Sequence, residues 1–308
     1  MSEHTVLVTG GSGFIGTWVL RELLNTGARV VALDLEAAPE RWERVIGAGA
    51  NEIIFSGTPL TDRDALETLM REHGVTHVIH LAALLTPDCQ QDPFLGCQVN
   101  VLGSTAVFDA ARRAGTVSAI AFASSYAVYG STPAGDDTAE PPMFYGAFKQ
   151  AVDSIAAQYW RHFGLRSLAV RPHVVYGPER EVGLSAGPSV ACRAAVHGQR
   201  YVIGYEGLAG YDYVEDVAKV LVRGAFECPE GASIADLPSE GATPEDFVRL
   251  IERLHPPAAG LISVAGPAIP ANIPHVSRDI RRILPGWEPT SLEDGVAKTL
   301  AYYQSLGA

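Results

Sequence analysis

Through the first 171 positions, short β-branched runs alternate with stretches in which apolar residues recur every three or four places. That rhythm is the signature of βαβ units and a parallel sheet. It predicts strands at His4–Thr9, Arg29–Asp34, Asn51–Phe55, Thr76–His80, Ser118–Ala123 and Arg166–Arg171. Between them it predicts helices at Phe14–Asn25, Asp62–Glu72, Pro93–Ala114 and Tyr145–Phe163, with a loop or weak helix between the second and third strands. After Arg171 the rhythm breaks. Residues 174–187 carry Gly177, Pro178, Gly183 and Gly187, followed by an expected helix near Pro188–His197 and a short strand at Tyr201–Ile203. Further helices are expected at Glu215–Glu227, Thr243–Leu254, Ser277–Leu284 and Ser291–Ser305, and no internal repeat interrupts the series.

The first strand–helix junction carries candidate chemistry. Gly10, Gly13 and Gly16 stand directly after a strand and directly before a helix whose apolar face is Ile15, Val19, Leu20, Leu23 and Leu24. A dinucleotide pyrophosphate needs a tight turn, a backbone without Cβ at closest approach, and helix N–H groups facing the anion. Asp34 ends the second strand 18 residues after Gly16, where a carboxylate accepts both adenine-ribose hydroxyls and repels a 2′-phosphate. NAD is therefore expected rather than NADP. The fold class that follows is α/β, a Rossmann-type doubly wound parallel sheet with a small C-terminal substrate-binding cap. Residues 1–171 form the NAD-binding part and residues 172–308 mainly the cap, with 211–240, including the strand and helix near Tyr211–Glu227, expected to return to the first part.

Tyr145 and Lys149 lie four apart at the start of a helix, so both project from one face. A phenol is a poor base at neutral pH, but an ammonium beside it favours the phenolate. Tyr145 then takes the proton of a secondary alcohol while hydride leaves the same carbon for nicotinamide. Upstream, Ser124 and Ser125 end a strand at the carboxyl edge, where ligands bind in open α/β sheets. Strand side chains alternate, so only one of the two points at the site.

Composition narrows the partners. With 35 acidic against 23 basic residues the net charge is −12, and no stretch concentrates Lys and Arg, which argues against nucleic acid and anionic membranes. The four cysteines, Cys89, Cys97, Cys192 and Cys228, have neither zinc-site nor disulfide-ladder spacing. His73 and His77 are separated by a helix-ending Gly74, so no metal site is expected. The amino terminus begins with an acid, and its apolar run is broken by glycine, unlike a signal peptide; the longest uncharged stretch holds five prolines. A cytoplasmic protein is expected.

TGGSGFIG, the strand-ending Asp34, HLAA at His80–Ala83, VNVLGS around Asn100, SSYAVYG, YGAFK and RPHVVYGP together resemble the extended short-chain dehydrogenase/reductase family, the NAD-dependent epimerase/dehydratase group. The resemblance is specific from about residue 4 to 178 and looser beyond. It implies a catalytic set of Ser125, Tyr145 and Lys149, with Lys149 also holding the nicotinamide ribose. Gly10, Gly13, Phe14, Ile15, Gly16, Asp34, Leu60, Leu81, Ala82, Ala83, Asn100, Tyr145, Lys149 and Pro172 would serve NAD, Asn100 by bracing the neighbouring helix. Thr86, Ser125, Tyr126 and His173 would meet substrate. It also implies a homodimer through the helices from Pro93 and Tyr145, the latter with an apolar stripe of Phe148, Val152, Ile155, Ala156 and Tyr159.

Departures from the group refine the expected activity. Pro59 stands where the family places an aspartate near adenine, and no acidic pair follows Ser125, as a dehydratase would need. Tyr211 replaces an arginine that clamps the diphosphate of nucleotide sugars, and no second arginine precedes Arg278 in the matching stretch. A bidentate guanidinium is the natural diphosphate holder. The expected activity is therefore NAD-dependent oxidation of a secondary alcohol of a sugar, sugar acid or other polyhydroxy compound without a nucleotide. The alternative is an NAD-dependent sugar or nucleotide-sugar epimerase using the same hydride transfer reversibly; a non-catalytic NAD sensor is a third reading, which the Tyr–Lys pair disfavours. Arg180, Arg193 and Arg200 lie in the variable region as candidates for an anionic substrate group.

Overall fold

The computed structural model describes residues 4–130, 140–268 and 276–307. The chain runs β1 (Thr5–Thr9), α1 (Phe14–Asn25), β2 (Arg29–Leu33), α2 (Pro39–Ile46), β3 (Ile54–Ser56), α3 (Arg63–His73) and β4 (His77–His80). It continues through α4 (Thr86–Gln91), α5 (Pro93–Cys97), α6 (Ser104–Ala114), β5 (Ala119–Ala123), α7 (Phe144–Phe163) and β6 (Arg166–Arg171). Six of these strands and a later one, β10 (Ala232–Asp236), make a parallel seven-stranded sheet in the order β10-β6-β5-β4-β1-β2-β3. The strand order reverses between β1 and β4, and open α/β sheets bind ligands at that crevice.

Why these strands lack a polar face is visible in their packing. Val6, Val8, Val30, Ala32, Ile79, Ala121, Leu168 and Val170 go to one side with α1 and α9 (Val214–Phe226), while Leu7, Val31, Leu33, Val78, Ile120, Phe122 and Ala169 go to the other with α3, α6 and α7. A sheet covered by helices on both faces needs apolar residues at every position. Most of these side chains are fully buried, the valines, leucines, isoleucines and phenylalanine each contributing roughly 1.5–3 kcal/mol. Val152 and Ala156 of the α7 stripe also enter this core, whereas Phe148, Ile155 and Tyr159 are only part-buried.

Beyond β6 the chain adds β7 (Val174–Tyr176), α8 (Gly187–Val196), β8 (Tyr201–Ile203), β9 (Ala209–Tyr213), β11 (Glu240–Ala242), α10 (Pro244–Leu254), β12 (Ile262–Val264) and α11 (Leu292–Leu306). The helix at 214–226 packs on the large sheet, but the strand near Tyr211 does not join it. It lies between β11 and β7 in a separate three-stranded sheet, and β10 is the strand that extends the large sheet. Tyr176, Tyr205, Tyr211, Tyr213 and Phe247 form an aromatic core beneath β9, which a place in the large sheet would expose.

One helix prediction needs correction and two are sharpened. The connection between β2 and β3 is a regular eight-residue helix, started by Pro39 and closed by Gly47 at φ 71°. The helix expected over 93–114 starts at Pro93, capped by Asp92, and passes through a π turn at Gln98–Gly103, where Gly103 makes room for Leu60; a separate short helix, Thr86–Gln91, precedes it. Segment 277–284 is no α-helix: Arg278 O accepts from Asp236 N and Asp279 bridges to β10, leaving only a 3₁₀ turn at Ile280–Arg282. Gly74 closes α3 in the left-handed region at φ 62°, and His77 beyond it is buried against His4 and Phe226, apart from His73. No helix among the described residues is long and apolar enough to cross a membrane.

Candidate active site

The glycine loop follows β1 and is shaped by close approach. Gly10 has φ 73°, and a Cβ there would lie 2.8 Å from Ala82 N; a Cβ on Gly16 would lie 2.0 Å from Gly10 O. Gly13 begins α1 with no side-chain cap, so the first N–H groups of the helix are left for a ligand. Asp34, just past β2, accepts from Ser12 N at 3.0 Å and Leu35 N at 2.8 Å, which fixes its carboxylate beside the loop. Phe14 and Ile15 are part-buried at the start of α1, and Leu81, Ala82 and Ala83 line the opposite wall after β4.

That wall is pinned by a hydrogen-bond chain whose direction can be counted out. Thr9 Oγ1 accepts from Leu81 N and Ala82 N, each at 3.2 Å, and lies 2.6 Å from His80 Nδ1. Ser104 Oγ lies 2.8 Å from His80 Nε2 and donates to Asn100 O at 2.6 Å. Burial holds His80 neutral, its pKa pushed down to about 3. Ser104 has spent its proton, so Nε2 carries the ring hydrogen and Nδ1 accepts from Thr9. Asn100, in the π turn, accepts from Leu84 N at 2.7 Å and donates to Leu84 O at 3.0 Å, holding the next loop. Only the HLAA resemblance pointed to His80; Thr9 and Ser104 stand in the TGGSGFIG and VNVLGS motifs, which gave no hint that they meet through His80.

At the end of β5 the two serines part company. Ser124 is buried and donates to Asp153, itself paired with Arg171 at 2.6 Å. Ser125 lines a cavity of about 220 Å³ together with Thr86, Tyr126, Tyr145, Pro172, His173 and Arg180. Its hydroxyl is hydrogen-bonded to Tyr145. Lys149 Nζ lies 5.6 Å from the Tyr145 ring centroid and donates to Ala123 O at 2.6 Å.

The expected effect of the lysine on the tyrosine is not found. Burial pushes Tyr145 up to about 12, and the forces that lower it are the Ser125 hydrogen bond and the charge of Arg180. The reason lies in Lys149, which is spent on the Ala123 carbonyl and is itself pushed down to about 8 by burial, with Asp153 opposing.

His173 stacks on Tyr126 with ring centroids 3.5 Å apart. Its Nδ1 lies 2.6 Å from Ser239 Oγ, which donates to Asp212 Oδ1 at 2.6 Å. Ser239 therefore accepts from Nδ1–H, and Nε2 is left as a bare acceptor without a partner among the described residues. Burial holds this ring neutral too, at about 3. The Asp212–Ser239 relay was not foreseen, because β9 and residue 239 lie far from His173 in sequence.

The arginines of the variable region separate. Arg193 pairs with Glu181, and Arg200 is exposed. Tyr211 is buried, its hydroxyl 3.0 Å from that of Tyr205. Arg278 lies beside Tyr129 and Asp236, at a second recess with Asp153 and Arg171, and does not line the cavity that holds Ser125.

A glycine loop under a helix start, a strand-end carboxylate and a Ser–Tyr–Lys set at the carboxyl edge of a parallel sheet define a dinucleotide-dependent α/β enzyme. The chain belongs to the NAD-dependent epimerase/dehydratase family, whose sequence profile matches residues 6–232. NAD is the cofactor of that family, and the loop, Asp34 and Lys149 fit it. A UDP-glucose 4-epimerase of Mycolicibacterium smegmatis is 30% identical over 318 positions, spanning 97% of this chain and 98% of the relative. Among solved structures, a Thermotoga maritima UDP-glucose 4-epimerase with UDP-glucose superposes with TM-score 0.85 at 23% identity, over 99% of this chain and 100% of that one. A Thermus thermophilus UDP-glucose 4-epimerase in complex with NAD gives 0.81 at 27% identity, over 97% and 99%. These relatives are epimerases, which favours the reading that the sequence placed second over net dehydrogenation.

Proposed function

We propose that the protein is an NAD-dependent sugar epimerase that removes and returns a hydride at one secondary alcohol carbon. The observation that carries this is the meeting of Ser125 and Tyr145 in one cavity, with Lys149 Nζ behind the tyrosine at 5.6 Å from its ring centroid, in a chain related along nearly its whole length to a 4-epimerase. In this reading Gly10, Gly13, Phe14, Ile15 and Gly16 receive the pyrophosphate, and Asp34 the adenine ribose. Leu60, Leu81, Ala82, Ala83, Asn100 and Pro172 shape the rest of the cofactor cleft, and Lys149 holds the nicotinamide ribose. NAD, when bound, supplies the hydride acceptor and donor. Tyr145 Oη takes the substrate hydroxyl proton and later returns it, while Ser125 Oγ orients the reacting oxygen. Phenolate character at Tyr145 is favoured by the Ser125 hydrogen bond and the charge of Arg180, and Lys149 at about 8 keeps its proton at neutral pH. Thr86, Tyr126 and His173 contact the sugar, with His173 Nε2 accepting from a hydroxyl.

The test is a panel of free and UDP-linked sugars. Both are needed, because the relatives are UDP-glucose epimerases while Tyr211 stands buried at the clamp position. Isomerised product without accumulating NADH is expected; NADH formed in step with substrate loss would instead establish a dehydrogenase. Tyr145→Phe should lower turnover by about 10²–10⁴-fold with NAD still bound, and unchanged turnover would mean that the tyrosine does no chemistry. A homodimer through α5, the π turn and α7 belongs to the same proposal, supported by Phe94, Leu95, Leu102, Phe144 and Phe163, all exposed. A reducing, cytoplasmic setting is supported by four free cysteines.

A further inference from the structure

The cavity that holds Tyr145 and Ser125 is lined by one ionised side chain among the described residues, and it is a cation. Neither aspartate, glutamate nor lysine lines it. Arg180 does, and its guanidinium has a single hydrogen bond, from Nη2 to Ser185 Oγ at 2.9 Å, and no carboxylate partner among the described residues. In a chain of net charge −12 whose buried Arg171 is paired with Asp153 at 2.6 Å, the part-buried Arg180 guanidinium, held by Ser185 and lying 5.9 Å from the Phe14 ring centroid, has no opposing charge among the described residues to offset its desolvation. Its desolvation is severe enough to lower even an arginine, to about 10.

The backbone spends further energy to hold it there. Glu179, the preceding residue, is the one non-glycine among the described residues with positive φ, at 70°. Its carboxylate is gripped by Arg44 at 3.0 and 2.7 Å and by Tyr302 Oη at 3.0 Å, and its N–H donates to Tyr303 Oη at 2.9 Å. With residue 179 locked to α2 and α11, the chain presents Arg180 to the cavity.

We propose that Arg180 is an anion-recognition residue and that the sugar it serves carries a carboxylate or similarly compact oxyanion on or next to the ring being oxidised. The anion belongs close to the reacting carbon because Arg180 shares one small cavity with Tyr145 and Ser125; a diphosphate handle would lie farther out. Two oxygens of a carboxylate match the forked donors of a guanidinium. The inference deepens the epimerase reading and takes the sugar from it, but its binding test stands apart.

NAD-saturated protein is titrated with D-glucuronate, D-glucose 1-phosphate and D-glucose, with binding read by calorimetry and melting temperature; turnover is measured with UDP-glucuronate and UDP-glucose. Wild type should bind one anion about tenfold or more tightly than glucose, as charge-assisted hydrogen bonds would produce; glucuronate ahead of the phosphate identifies a ring carboxylate, and the reverse a phosphate. Arg180→Met should collapse the anion-to-neutral ratio by about tenfold or more, while Arg180→Lys keeps part of it. Equal binding of anion and neutral sugar by wild type, or a ratio unchanged in Arg180→Met, would overturn the proposal, as would a loss that falls on NAD affinity alone. Epimerisation of neutral sugars without anion preference would sink this inference and leave the function standing. Anion binding lost in Arg180→Met, with no sugar epimerised, would do the opposite.

Discussion

Lys149 gives a prediction in which stability and function pull apart. Its ammonium is buried, 8% exposed, and held at about 8 against 10.5 for a free lysine, which corresponds to about 3 kcal/mol of destabilisation while it stays charged in the folded protein. The sign follows from proton counting. Between pH 8 and 10.5 the unfolded chain keeps a proton on this residue that the folded chain has lost, so folding stability rises with pH across that window and the full penalty is present below it. Lys149→Met removes the titration. In urea unfolding of the cofactor-free protein followed by far-UV circular dichroism, the stability of wild type relative to the methionine variant should climb by about 3 kcal/mol from pH 7.5 to 10.5. At pH 7.5 the variant should be within about 1 kcal/mol of wild type or more stable, because losing the bond to the Ala123 carbonyl offsets the relief of desolvation. It should nevertheless be inactive. A stability difference that is flat or falling with pH would refute the claim that burial depresses this lysine. The general point is that the fold holds a charge the apoprotein would rather lose, as the proposed chemistry requires.

Further outcomes can be stated more briefly. Gly16→Ala places a Cβ about where Gly10 O now sits, 2.0 Å away; forcing the loop open should cost about 1–3 kcal/mol and weaken NAD binding in a fluorescence titration, so unaltered affinity would count against the loop as the pyrophosphate site. Asp153→Asn strands the buried Arg171 and should lower stability by about 3–5 kcal/mol by urea melts, and a loss below about 1 kcal/mol would mean that Tyr129 and water satisfy the guanidinium. Phe94→Glu together with Phe144→Glu, both at exposed positions, should yield a monomer in sedimentation velocity where wild type sediments as a dimer; a monomeric wild type would remove the dimer proposal.

The hydrophobic rhythm alone led to six of the seven strands of the large sheet, β10 being missed, because strands buried on both faces and helices with one apolar stripe leave periodic traces within a few residues. The Gly10–Gly16 loop was legible for a similar reason: Gly16 must lack a Cβ whatever the rest of the chain does. The miss at 277–284 shows the limit, since that segment is helical in pattern but is held extended by Asp236, some forty positions upstream. That Ser125, Tyr145 and Lys149 lie near one another was likewise readable from motif and spacing, while their electrostatics were not. Whether Lys149 acidifies Tyr145, whether His173 offers a lone pair or a proton, and whether Arg180 finds a carboxylate all depend on burial and on partners such as Asp153, Ser239 and Tyr205, distant in sequence. Periodicity and glycine geometry are local properties, so the sequence by itself determined the fold class and the cofactor loop. Desolvation and charge pairing are sums over everything the fold brings near, so the tertiary structure alone decided which groups in the cavity are charged and which are free.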